Sequence, residues 1–119
     1  MNATELMIGD LVYLGKRPIH VTAATFKLMF DDKKFAESLH PIPLTPEILE
    51  KNEFKEDIEI TGCYWRSDCN KFCFVKEVDD WYFAIRYKGG HICIAMCNYV
   101  YKFQQILRNL LEIEKEVVL

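Results

Sequence analysis

The sequence predicts an α+β fold. Its mostly antiparallel sheet is curved or barrel-like, with a short helix at about 45–52 and a longer one at about 98–112. Three observations predict it. Residues 72–97 fall into short runs of β-branched and aromatic residues separated by two turn signals, Asp79-Asp80 and Gly89-Gly90. Asn98, a candidate N-cap, is followed by Tyr99, Phe103, Ile106, Leu107, Leu110 and Leu111 at helical spacing, with Lys102, Gln104, Gln105, Arg108 and Asn109 on the opposite side. Thr45-Pro46-Glu47 is a helix start: a hydroxyl cap, a proline in the first turn and an acid at the positive end of the dipole.

Each element follows in order. Leu6–Leu14 reads as a first strand, interrupted at Gly9-Asp10, and Gly15-Lys16-Arg17-Pro18 as a turn whose proline belongs at a sheet edge. Ile19–Phe30 reads as a second strand because of its β-branched and aromatic content. Asp31-Asp32-Lys33-Lys34 is a polar break, either a loop or the start of a short helix. His40–Leu44 is an extended connector or edge strand, since each proline biases its predecessor away from the helix. Ile58–Arg66 reads as a weaker strand with a bulge at Gly62, and Glu116–Leu119 as a last short one. With Gly89-Gly90 as a two-residue turn, Ile85 faces Ile94 and Phe83 faces Met96. This puts Phe72, Phe74, Phe83, Ile85, Tyr87, Ile92, Ile94 and Met96 on one core face.

At 119 residues, with half of them hydrophobic and 28% charged, the chain reads as a single domain spanning 1–119 with ample core. The net charge of −3 is uneven. Residues 1–44 balance, residues 45–60 carry six acids against two lysines, and residues 61–119 carry eight basic against seven acidic residues. No basic footprint for duplex nucleic acid shows. The first residues have neither the basic nor the apolar region of a secretory leader, and the longest apolar run, Ile92–Cys97, is too short to span a bilayer. Five cysteines, an odd number, fit a reducing compartment, so the expected location is cytoplasmic.

The chemistry-bearing residues form no complete site. The close cysteine pairs, Cys69/Cys73 and Cys93/Cys97, are both C-x3-C rather than the spacing of structural zinc sites. On a strand Cys93 and Cys97 are about 13 Å apart. His91 and Cys93, two apart, reach a common ion but need further ligands. Cys73 and Cys93 lie two strand spacings apart, beyond disulfide reach. Neither metal, cofactor nor disulfide is expected. Nothing singles out one cysteine or one histidine for nucleophilic catalysis, and no phosphate-binding, dinucleotide, hydrolase or metalloprotease motif occurs. The carboxylate pairs sit at turns. Tyr64-Trp65-Arg66 is the best partner-binding candidate, because those residue types dominate interface hot spots; a tryptophan filling the core competes with that reading.

Two segments, Ile42–Phe54 and Tyr99–Leu107, resemble the patterns IPLTEEILEKNGF and YVHQLQNLL, and Ile8–Tyr13 is similar to an RIGNLVY opening. These patterns occur together in small uncharacterised proteins of anaerobic gut bacteria, their phages and mobile elements. Glu53 stands where the pattern has glycine and Tyr101 where it has histidine. The resemblance implies no known activity, adds no catalytic residue and supports a cytoplasmic location. The expectation is a small non-catalytic binding or interaction module of phage or mobile-element origin, its partner a protein rather than a membrane or nucleic acid. The alternatives are an SH3-like module associated with nucleic acid, suggested by the Gly9-Asp10 entry into a hairpin, and a metal- or thiol-dependent enzyme.

Overall fold

The computed structural model describes the backbone of residues 1–119 and every side chain except those of Cys69 and Asn70. The fold is α+β with two antiparallel sheets, and neither closes into a barrel. The chain forms two compact units. The first contains Met1–Pro43 and Tyr99–Glu112, the second Leu44–Asn98 and Ile113–Leu119.

The first unit starts with a 3-10 turn, Ala3–Glu5, then strands β1 (Leu11–Leu14) and β2 (Arg17–His20). The second predicted strand ends at His20. Thr22 accepts a hydrogen bond from the Thr25 amide while the Thr25 hydroxyl accepts one from the Thr22 amide, and this reciprocal cap launches helix α1, Ala23–Asp31. The two alanines of its first turn reinforce the cap, so local capping overrides the β-branched composition that reads as strand. Asp32 accepts from the amides of Lys34 and Phe35 and starts α2, Lys33–Ser38. Strand β3, Leu39–Pro41, pairs with β1, giving the order β2-β1-β3 with Pro18 and Pro41 on edge strands. Leu6, Val12, Val21, Met29, Leu39 and Tyr101 form the core of this unit.

Tyr101 comes from helix α4, Val100–Asn109. Phe103, Ile106 and Leu107 are buried as the apolar stripe predicts, but Tyr99 and Leu110 are exposed. Asn98 is not the cap. Tyr99 takes that position without a side-chain hydrogen bond. The polar side of α4 is a solvent face only at Lys102 and Asn109. Gln104 Oε1 accepts from the Leu11 amide at 2.6 Å, and Gln105 and Arg108 donate to the fully buried Asp10 at 2.8 and 3.2 Å. The Gly9-Asp10 interruption of the first predicted strand is where these donors converge.

The second unit opens with α3, Pro46–Lys51, capped by Thr45 as expected. Glu53 follows it at φ 72, a left-handed position that favours glycine. Its carboxylate pairs with Arg66 at 3.0 Å and Lys115 at 3.1 Å. The five-stranded sheet has the order β4-β5-β6-β7-β8: Lys55–Glu56, Cys63–Arg66, Cys69–Glu77, Asp80–Tyr87 and Gly90–Met96. The bulge falls between Trp65 and Arg66 rather than at Gly62. Tyr64, Phe74 and Phe83 form one cross-strand row, and Phe54 meets Phe74 edge-on at 5.3 Å. The opposite face buries Cys63, Cys73, Val75 and Ala84, with Ile60, Trp65 and Tyr82 against them. Residues 116–119 form no strand. Asn52 instead holds Val118 by two hydrogen bonds of 2.8 Å.

Both hairpin registers differ from those expected. Tyr87 pairs with Gly90, so the turn is Lys88-Gly89, both at positive φ, and Ile85 faces Ile92 rather than Ile94. That slide of two residues preserves the faces. A bulge at Ile94 then moves the register back by one, so that Phe83 faces Ala95 and Met96 turns to the side of Tyr82. Of the expected core face, Tyr87, Ile92, Ile94 and Met96 are all exposed, the first two although the register keeps their face. In the other hairpin Glu77 pairs with Asp80 across Val78-Asp79.

Candidate functional site

Tyr64, Trp65 and Arg66 occupy consecutive positions of β5, so alternation sends them to both faces of the sheet. Tyr64 is buried edge-on to Trp81, with ring centroids 5.7 Å apart, and burial pushes its hydroxyl pKa up. The Arg66 side chain is 4% exposed, held by Glu53 and by Asp68 at 2.7 Å, with Phe54 beneath its guanidinium. Trp65 faces the other way, half-buried, and Arg86 stacks 3.9 Å over its ring. Its buried indole N–H lies toward Asp57, whose carboxyl it helps to hold down. The three side chains therefore do not present one surface. What reaches solvent is a shallow cleft of about 270 Å³ lined by Glu53, Lys55, Trp65, Arg66, Ser67 and Arg86. Two of the three cations that line it are already engaged, Arg66 by two carboxylates and Arg86 by Trp65 and by Asp57 at 3.9 Å; the third is Lys55. The Asp57 carboxyl is held below its ordinary range chiefly by the backbone amides of Glu59 and Ile60.

Cys63, Cys73, Cys93 and Cys97 are free thiols. Cys73 and Cys93 both flank Ala84 on neighbouring strands, in one row, two strand spacings apart. Cys63 and Cys73 share a hydrogen bond in the interior, which lowers the pKa of Cys63 and raises that of Cys73.

A second cluster joins β6 to β8. His91 Nε2 lies 2.8 Å from Glu77 Oε1, and with the Cys93 sulfur these atoms are all within 4.8 Å of one another. Loss of hydration, then the Glu77 carboxylate, raise the Cys93 pKa. The strand registers make this meeting informative. Glu77 lies in the row of Asp80 and His91 in that of Arg86, six residues further along β7, which in a flat sheet is about 20 Å. These are opposite corners of the three-stranded region, and they touch because the sheet coils toward the face carrying Val75, Tyr82 and Ala84. Sequence spacing shows that His91 and Cys93 share a face. Alternation also puts Glu77 on the face of Cys93, but its contact with His91 is not legible there, since that depends on how strongly the sheet coils.

Strand β8 is the third feature. It forms one edge of the five-stranded sheet and is exposed from Ile92 to Met96. Tyr87, Ile92, Ile94 and Met96 are all near half exposed. Among the described residues no helix is long and apolar enough to cross a membrane. Comparison with family models, curated proteins and solved structures gives no match for this chain.

Proposed function

We propose that the protein is a small, non-catalytic interaction module that binds an extended, apolar segment of a partner protein by adding it as a strand to β8. One observation carries this reading. The two sheets have four edges, and three are blunted in the usual ways: β2 contains Arg17 and Pro18, β3 has three residues and ends in Pro41, and β4 is the two charged residues Lys55-Glu56. The fourth, β8, is seven residues long and carries no charged side chain apart from what His91 acquires on protonation. Its outer backbone groups and exposed Ile92, Ile94 and Met96 offer main-chain hydrogen bonds and apolar contacts to an incoming strand. An uncharged edge favours an uncharged partner segment. A phage or mobile-element source rests on the short motif resemblance, and a cytoplasmic location on the odd cysteine number and the free thiols.

The test is selection from a displayed library of unstructured decapeptides. Selected peptides should alternate apolar residues and slow amide exchange along β8. Ile94→Lys should abolish binding while leaving the thermal transition in place, because Ile94 is exposed. Peptides that bind equally well to Ile94→Lys, or that protect another surface, would refute the reading. Sedimentation of the protein alone provides a second arm: a dimer dispersed by Ile94→Lys would make a second copy of this chain the occupant and overturn the choice of a partner protein.

A further inference from the structure

We propose that Glu77, His91 and Cys93 form a three-ligand site for a borderline-soft divalent cation, with Zn²⁺ as the natural occupant and a fourth position left to water. The triad offers one oxygen, one nitrogen and one sulfur, from the last residue of β6 and two positions of β8. This mixed donor set suits zinc and excludes the all-oxygen preference of calcium and magnesium. Tetrahedral zinc with bonds of about 2.0–2.3 Å places its ligand atoms roughly 3.3–3.6 Å apart. The triad spans at most 4.8 Å, and its Glu77–His91 contact is 2.8 Å. Closing around an ion therefore asks the two longer edges to shorten by up to about 1.3 Å and the Glu77–His91 edge to open by about 0.5 Å. The carboxylate and the thiolate supply two negative charges to a dication, and binding releases the Cys93 proton to solvent.

The surroundings are compatible with a cation. Arg86, cross-strand from His91, is the basic residue paired with the site, and its guanidinium is drawn away onto the Trp65 ring and toward Asp57. Glu77 and His91 already hold each other in position, so little order has to be created when the ion binds. All three ligands sit at exposed or half-buried positions, so substituting them removes little packing.

Cobalt titration of the full chain tests the proposal. One equivalent of Co²⁺ should produce the visible bands of a tetrahedral site together with a near-ultraviolet thiolate-to-cobalt charge-transfer band, and Zn²⁺ should displace it. Cys93→Ser should lose the charge-transfer band. Glu77→Gln should weaken binding at least about tenfold, since even losing an outer partner of a metal ligand costs that much. Circular dichroism of both variants verifies that the sheet is intact. Absence of saturable cobalt and zinc binding, a charge-transfer band that survives Cys93→Ser, or an affinity unchanged in Glu77→Gln would each overturn the site.

Discussion

The buried carboxylate of Asp10 shows how one residue reorganises the reading of a whole helix face. It accepts hydrogen bonds from the Met7 amide at 2.8 Å, from Gln105 at 2.8 Å and from Arg108 at 3.2 Å. By sequence, Arg108 belongs to a solvated side, where removal costs under about 0.5 kcal/mol. In the structure, removing it strips the counter-ion from a fully buried acid. Arg108 is itself about a third exposed, so screening reduces its contribution. We expect Arg108→Ala to cost about 1–3 kcal/mol in urea unfolding. That approaches the roughly 2–5 kcal/mol expected for Leu107→Ala in the buried stripe. A loss near zero for Arg108→Ala would mean that the amide and Gln105 suffice to hold Asp10.

At the scale of the element, the two hairpin turns contrast. Lys88-Gly89 places both residues at positive φ, with glycine in one of the two positions, as suits the strongly twisted connection between β7 and β8. Val78-Asp79 puts a β-branched residue at φ 57, where its Cβ crowds the backbone. Such a position costs roughly 1–2 kcal/mol for an ordinary L-residue. Val78 is 93% exposed, so it recovers nothing by packing. Val78→Asn, a residue that tolerates the left-handed region, should stabilise the protein by about 1 kcal/mol and raise its melting temperature by a few degrees. An unchanged or lower melting temperature would show that the valine side chain is held by something beyond the turn. The same hairpins carry Glu77 and His91 at their ends, which makes correct turn geometry a condition for the corner contact.

At the scale of the whole molecule, each compact unit takes two separate stretches of the chain. The first unit depends on α4 although 55 residues of sequence, 44–98, intervene. Helix α4 supplies Tyr101 to its core and the partners of Gly9, Asp10 and Leu11. A chain ending at Asn98 should therefore lose slow amide exchange in β1, the strand between β2 and β3. Exchange followed by mass spectrometry checks this. Protection of Val12 and Tyr13 that survives the truncation would show that residues 1–43 hold their sheet unaided.

The sequence by itself determined what depends on neighbours a few residues away. Thr45-Pro46 starts a helix because the cap and the fixed φ of proline act locally, and the stripe of α4 is periodic over its own length. The three-strand meander follows from runs separated by turn residues, and even the misplaced turns kept Phe72, Phe74, Phe83 and Ile85 on one face because a slide of two preserves alternation. Propensity misled at residues 22–31, where a reciprocal threonine cap outweighs β-branched content. Only the tertiary structure decided what couples distant positions. The burial of Asp10 under Arg108, the bulge that turns Met96 to the side of Tyr82, the inward turn of Tyr64 and Arg66, and the meeting of Glu77 with His91 all depend on how strands coil and where a remote helix lands. Those quantities are set by the packing of the entire chain, and a linear pattern carries no record of them.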